Sequence, residues 1–350
     1  LMRDTPMEGE ISVIFQREPN YFYAAGIEGK FNQTIIACDK KIDTVVGAGS
    51  RSVKPVFLNG NISSIGYLSS LRIQQNYRKN TILSRGYLYL KELHQDSRAK
   101  MYLSTIIQDN KEALKSLTKA RDALPKYHDI GGYKTFTIKL IHKKDNLCNE
   151  IEISKGSSCD LDEIIECIHR NGKEKQYYPY YLKEDFISGQ SYLRDFKVED
   201  FYLAKKQGKI IGVAAKWDQS GFKQTVVSGY SRKMKYIRPA YNYISKKLNH
   251  PLLPEPGEKL RSFYVSFIAV DQNDPGVFSS ILRALYNDHI DSEYSYMILG
   301  LHQKDPLISA VAKYSFIEYK SRAFIVCWDD GSESFECLDN RIPYLEVATL

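Results

Sequence analysis

Apolar and polar positions follow the same order of patterns in two long stretches of the chain. TIIACDKKIDTVVGAGSRSV (residues 34–53) reads as two strands around a polar turn, and FYLAKKQGKIIGVAAKWD (201–218) does the same. Ala37 aligns with Ala204 and Gly47 with Gly212. The alternating run ISSIGYLSSLRI leads into QNYRKNTILSRGYLYLKELH, whose Ile82, Gly86, Leu90 and Leu93 share a helical face. SFYVSFIAV followed by DPGVFSSILRALYNDH is the counterpart, with Ile73 set against Val270. MYLSTIIQDN and KEALKSLTKA then match YSYMILGLHQKD and PLISAVAKYSF, and TFTIKLIH and EYKSRAFIVCW supply a last strand to each.

Each copy therefore reads as hairpin, long strand, helix, strand, helix, strand. This mixed order predicts an α/β fold, a mixed and mainly antiparallel sheet with helices on both faces, built twice in tandem. The polar stretch DNLCNEIEISKGSSCD marks the boundary, giving domains of residues 1–145 and 155–350. The second copy carries an insertion at about 228–257, helical at first and stopped by Asn249, Pro251, Pro254 and Pro256.

Composition narrows the class. With 350 residues, 43% hydrophobic and 26% charged, the chain is neither disordered nor fibrous. No apolar run approaches the roughly 18 residues of a spanning helix, so no membrane is expected. The 49 basic and 42 acidic residues give +7, spread along the chain, so nucleic acid is not expected and a small polyanion is an equal fit. Cys38, Cys148, Cys159, Cys167, Cys327 and Cys337 form no C-x-x-C pair and the histidines no H-x-x-x-H, so no metal is expected. Cys38 and Cys327, inside apolar runs, read as buried small hydrophobes. The N-terminal residues lack the apolar core of a signal peptide, and a reducing, cytoplasmic setting is the expectation.

The stretch IGYLSSLRIQQNYRKNTILSRGYLYLKELH (65–94) resembles the strand, pyrophosphate loop and helix of the GCN5-related N-acetyltransferase (GNAT) superfamily, and the whole chain looks like a tandem two-domain member. The resemblance implies acetyl-CoA as co-substrate. In the family a loop of the form R/Q-x-x-G-x-G/A presents backbone N–H groups at a helix N-terminus to the diphosphate. Here Arg78, Lys79, Asn80, Thr81, Ile82 and Leu83 occupy that loop, with Thr81 and Leu83 in place of glycines. Thr81 is then a candidate helix cap or hydroxyl donor, and Arg78 and Lys79 supply charge. The family's strand bulge, which receives the pantetheine arm, maps to Leu71, Arg72 and Ile73, and its cofactor-facing Asn to Asn110, followed by Ala113. The family's acidic Tyr is missing, since Leu117 and Thr118 stand there.

In the second copy Asp271 and Asp274 stand where phosphates need positive charge, Pro275 and Gly276 fit a plain helix start, and Tyr314 lies near the acidic-Tyr position. The expectation is a first copy that holds the acyl donor and a second that serves as structural partner. The implied reaction moves an acetyl group from acetyl-CoA to a primary amine of a small molecule or peptide by direct attack, with a base taking the ammonium proton and oriented donors steadying the oxyanion. Tyr67, Ser69 and Ser104 are the catalytic candidates from strand position. His302, at the C-terminal end of a predicted strand, is a candidate base, and QYYPYY (176–181) and YIRPAYNY (236–243) are candidate pocket linings. Two alternatives stay open: a non-catalytic acyl-CoA-binding protein, and an aminoacyl transferase using charged tRNA.

Overall fold

A computed structural model describes residues 1–3, 5–7, 9–78, 81–119, 124–147, 150–187, 191–248 and 250–350. Lys79 and Asn80 of the candidate loop, Asn249 and Cys148 lie outside these residues. The N-terminal half contains β1 (Ile11–Gln16), α1 (Tyr21–Gly26), β2 (Phe31–Asp39), β3 (Thr44–Leu58), β4 (Asn61–Ile73), α2 (Ile82–His94), β5 (Tyr102–Ile107), α3 (Lys111–Thr118) and β6 (Lys126–Lys139). The C-terminal half contains β7 (Glu152–Lys155), α4 (Leu161–Gly172), β8 (Lys175–Gln176), α5 (Lys183–Ile187), β9 (Phe201–Lys206), β10 (Lys209–Trp217), β11 (Gln224–Tyr230), α6 (Arg232–Lys247), β12 (Ser262–Val270), α7 (Pro275–Asp288), β13 (Tyr296–His302), α8 (Ile308–Val311), β14 (Phe316–Cys327), α9 (Ser332–Glu336) and β15 (Ile342–Pro343).

One mixed sheet runs through both halves in the order β2-β3-β4-β5-β14-β6-β13-β12-β10-β9-β7, with helices on both faces. The pairings repeat as the aligned residues require. Ala37 opposes Gly47, which opposes Ile73; Ala204 opposes Gly212, which opposes Val270. The closing strands depart from a simple tandem. β14 pairs antiparallel with β5 of the other half as well as with β6, and β6 continues onto β13. Each copy thus lends its last strand to the edge of the other's fourth, an arrangement that strand periodicity does not encode.

Local chemistry explains several departures from the sequence reading. The face of α2 turned inward is Leu83, Tyr87, Leu90 and His94, because the large residues at 87 and 94 take the core in place of Gly86 and Leu93. Cys38 is exposed, since the β2–β3 register slips between Ala37 and Cys38 and turns the thiol outward, whereas Cys327 is buried. The insertion contains more than a helix: β11 pairs with β1 and leads into α6, which continues through Pro239.

The C-terminal half holds the larger core, where Phe201, Trp217, Phe263 and Phe267 are fully buried. In the N-terminal half the Arg51 side chain is fully buried and makes a two-armed pair with Asp96, at 2.8 and 2.7 Å, while its Nε donates to the Tyr102 hydroxyl. Hydrogen bonding from Arg51 holds the Asp96 carboxyl down at about 2. The pair fixes the end of α2 against β3, and so the frame on which α2 meets the crevice described next.

Candidate functional site

β4 and β5 run parallel and pair at only two positions, Gly66 with Tyr102 and Tyr67 with Leu103. The cause lies on the other edge of β4. Ser70 and Leu71 both stand opposite Gly49 of β3, and Ser70 takes a left-handed φ of 57°. Two residues facing one form a β-bulge, which bends the strand and ends regular pairing. A cavity of about 1370 Å³ opens in the wedge, lined by residues 67–73 of β4, 104–107 of β5 and the first turns of α2.

The same bulge recurs in the C-terminal half with the opposite outcome. Phe267 and Ile268 stand opposite Ala214, Phe267 has φ 56°, and β12–β13 pairing stops at Tyr264 with Ile298. This second wedge is filled by the chain itself. Glu346 Oε2 accepts the Phe267 N–H at 2.8 Å, the Tyr344 hydroxyl accepts the Ile268 N–H at 3.1 Å, and the Phe267 ring stacks on Trp217. Asp271 and Asp274 have separate duties: the first pairs with Arg170 and the second caps α7 through Gly276 N–H. Helix capping, in place of phosphate repulsion, accounts for Asp274.

The N-terminal wedge collects most of the residues singled out from sequence. Tyr67, Ser69, Ser104, Leu71, Arg72, Ile73, Thr81, Ile82, Leu83 and Asn110 all line it. Arg78 does not; its guanidinium turns to Glu112 at 3.3 Å and to the Ile73 carbonyl, and the cations among the lining residues are Arg17, Lys40, Lys41, Arg72, Arg85 and Lys223. Thr81 makes no side-chain capping bond, and Asn110 Oδ1 is engaged as the cap of α3, accepting the Ala113 N–H at 3.0 Å. The N-x-x-A spacing is thus a helix cap in this fold. Burial pushes the Tyr67 phenol up, so it stays protonated.

His302 and the tyrosines of 176–181 lie elsewhere. The buried His302 ring donates from Nε2 to the Ile130 carbonyl and accepts the Lys304 N–H at Nδ1, and burial pushes its pKa down. Tyr178 stacks on Tyr344 inside the C-terminal core. Tyr314 hydrogen-bonds to Arg283 as an ordinary packed aromatic.

Three residues at the wedge carried no sequence signal. Arg17, just beyond β1, places Nη2 3.1 Å from Glu28 Oε1 and 2.8 Å from Ser70 Oγ, while Ser69 donates to Glu28 Oε2 at 2.6 Å. The Arg17 and Glu28 side chains are 9% and 2% exposed, and Arg17 Nη1 is buried with no hydrogen-bond partner among the described residues. Lys223 Nζ donates to the Ala348 and Leu350 carbonyl oxygens, and burial, helped by Arg17, pushes the ammonium down to about 7. A fourth residue, Tyr264, was within reach, because the alignment of Ile73 with Val270 sets it against Tyr67; both rings line the cavity. Among the described residues no group of three or more His, Cys, Asp or Glu could hold a metal ion, and no helix is long and apolar enough to cross a membrane.

Neither a protein-family model nor a curated protein matches the sequence. Solved structures match in shape. A GCN5-related N-acetyltransferase from Sphaerobacter thermophilus superposes with TM-score 0.54 at 11% identity, over 91% of this chain and 84% of that one. The N-myristoyltransferase of Saccharomyces cerevisiae with bound myristoyl-CoA gives 0.53 at 11% identity, over 90% and 71%. A GCN5-related N-acetyltransferase from Anabaena variabilis gives 0.49 at 10% identity; this chain covers 65% of that protein's length. At such identities the likeness establishes architecture alone, and the first two matches suffice for that: the chain has the GNAT fold, across nearly its whole length.

Proposed function

We propose that this GNAT-fold chain is an acyl-CoA-dependent N-acyltransferase with one working crevice, opened by the bulge in the unit of residues 1–145 and lined also by Lys223, Tyr264 and Leu350, and a second unit, 155–350, whose equivalent crevice is permanently filled. The observation that carries the reading is the contrast between two identical bulges, one opening on about 1370 Å³ and the other closed by Glu346 and Tyr344. The residues present suit an acyl-CoA. Arg72 and Arg85 beside the start of α2 suit a diphosphate, and Leu68, Ile106 and Leu117 give an apolar wall. The thioester, when bound, would supply an activated acyl carbonyl; the transfer proposed is of an acetyl group to a primary amine, the C–N bond forming and the C–S bond breaking as CoA leaves as a thiolate that takes its proton from solvent.

The chain's own groups then have distinct tasks. Arg17 Nη1, buried and unpaired, is a fixed donor for a carbonyl oxygen that gains charge, and a donor of that kind is worth about 10²–10³ in rate. Ser69 bridges the crevice and Glu28 Oε2, so a proton leaving the amine passes to Ser69 Oγ as Ser69 gives its own to Glu28. Arg17 holds the other carboxylate oxygen and keeps it oriented. Tyr67 remains at the wall as a hydroxyl donor, while Ser104 spends its proton on the Leu68 carbonyl and faces the crevice only as an acceptor.

Thermal shift with CoA and with acetyl-CoA tests the binding half. A ligand at a hundredfold its Kd stabilises by about 2.7 kcal/mol, which for a chain of this size is on the order of 5 °C. Arg72→Glu with Arg85→Glu should abolish the shift, and no shift at millimolar ligand sinks the proposal. Release of free thiol with a panel of amines and of acyl lengths then tests transfer. The glycine-free loop and the absent acidic Tyr favour one other reading, a binder that does not catalyse, and it predicts the shift without thiol release.

A further inference from the structure

We propose that α6 is a docking helix for anionic phospholipid surfaces. The sequence of α6, RKMKYIRPAYNYISKK, holds six Lys or Arg and no Asp or Glu. Arg238 is ion-paired with Glu255, but Arg232, Lys233, Lys235, Lys246 and Lys247 have no carboxylate in ion-pair range among the described residues. All five are exposed. Charge of one sign, unneutralised on a single helix, calls for a negative partner.

The same helix presents apolar groups to solvent although its inward side is already satisfied. Met234 and Tyr241 pack on Val227, Tyr230 and Leu253, and Arg238 and Asn242 both donate to the Leu253 carbonyl. Outward stand Tyr236 (79% exposed), Tyr243 (64%) and Ile244 (56%), with Ile237 and Leu248 beside them. Residues 236, 240, 243, 244 and 247 fall on one helical face at spacings of three and four. Of the 18 exposed large hydrophobics among the described residues, six fall between Tyr236 and Leu252, so the patch is a concentration and not scatter.

Lysines interleaved with tyrosine and isoleucine on one face are what a bilayer interface accommodates. The rings and branched chains enter the headgroup boundary while the long basic stems reach the phosphates. A nucleic acid would use the cations but leave Ile237, Ile244 and Leu248 in water, which is why lipid is the better occupant. Such a helix lies on the surface, so the short apolar runs that exclude a spanning segment do not bear on it. The proposal is independent of the acyltransferase reading.

Sedimentation of the full chain with vesicles tests it. The protein should pellet with phosphatidylcholine containing about 30% phosphatidylserine, stay in the supernatant with phosphatidylcholine alone, and be released by salt. Each cation near the surface is worth roughly fivefold, so Lys233→Gln, Lys235→Gln, Lys246→Gln and Lys247→Gln together should weaken binding by at least about 100-fold. Tyr236→Ser with Tyr243→Ser and Ile244→Ser should lose it with the charge intact. These side chains are exposed, and unchanged melting temperatures would confirm that the variants fold. The proposal is overturned by equal pelleting with both lipids, by no pelleting with either, or by the apolar variant binding like the wild type while a single-stranded RNA competes. It is equally overturned if sedimentation velocity shows a dimer that Ile237→Glu with Ile244→Glu dissociates, which would make the face a contact between copies.

Discussion

Glu28→Gln separates the two roles that Glu28 holds. Its carboxylate accepts Arg17 on one oxygen and Ser69 on the other, with the group 2% exposed. A neutral amide removes the counter-charge of Arg17 in either orientation, and with one oxygen left to accept, either Arg17 or Ser69 also loses its acceptor. An uncompensated buried guanidinium costs about 3–5 kcal/mol, and the melting temperature should fall by roughly 4–7 °C. Arg17→Met with Glu28→Gln removes both charges and should recover on the order of 2 kcal/mol of that loss, measured as a coupling energy in a double-mutant cycle. Transfer responds differently. Glu28→Gln should lower the rate about 10²–10⁴-fold, and the double variant should not restore it. Ser69→Ala keeps the ion pair, so it should cost no more than about 1 kcal/mol of stability yet still slow transfer about 100-fold. Activity that returns with stability in the double variant, or survives in Ser69→Ala, refutes the proton route from Ser69 to Glu28 and leaves the trio as packing.

Further outcomes follow from individual contacts. Asp96, held at about 2 by Arg51, gives stability that is present above the ordinary carboxylate pKa and is lost as pH falls toward 2; Asp96→Asn should cost roughly 2 kcal/mol near neutral pH and flatten the acid limb of a denaturation series. Lys54 is buried beside Thr349 and pushed down to about 8 by burial, so its folded form carries fewer protons than the unfolded chain above that pH, and stability rises with pH through the window from 8 to its ordinary value. Relative to Lys54→Met, the wild type should gain roughly 2 kcal/mol between about pH 7 and about pH 9.5 in urea unfolding, and an unchanged difference contradicts the assignment. A Cβ on Gly66 would sit 2.0 Å from the ring of the fully buried Tyr102 at the root of the wedge, so Gly66→Ala should destabilise by about 1–3 kcal/mol, read as a lower melting temperature.

The repeat was legible because hydrophobic alternation and glycine placement report strand pairing directly, and the aligned residues Ala37 and Gly47, Ala204 and Gly212 face one another as aligned. The family likeness set the bulge at Leu71, Arg72 and Ile73, and the register shift falls at Ser70 and Leu71. The occupancy of the second wedge was not, because residues 344–346 reach it from about 77 positions beyond Phe267, and no local pattern records so distant a contact. Arg17 and Glu28 were invisible for a similar reason. They precede the first hairpin, have no counterpart in the second copy, and become a pair only when β1 is anchored by β11.

The interlocked last strands set a constraint on how the molecule is made. The edge of β5 that faces away from the crevice finds its partner in Ser321–Val326 of β14. While the ribosome works through the intervening chain, the finished N-terminal segment carries an unsealed sheet margin, the kind of surface that invites wrong partners and chaperone attention. That margin can be closed only once β14 has been made. Severing the backbone between β6 and β7 should accordingly yield fragments that reassemble with each other far more readily than either survives alone.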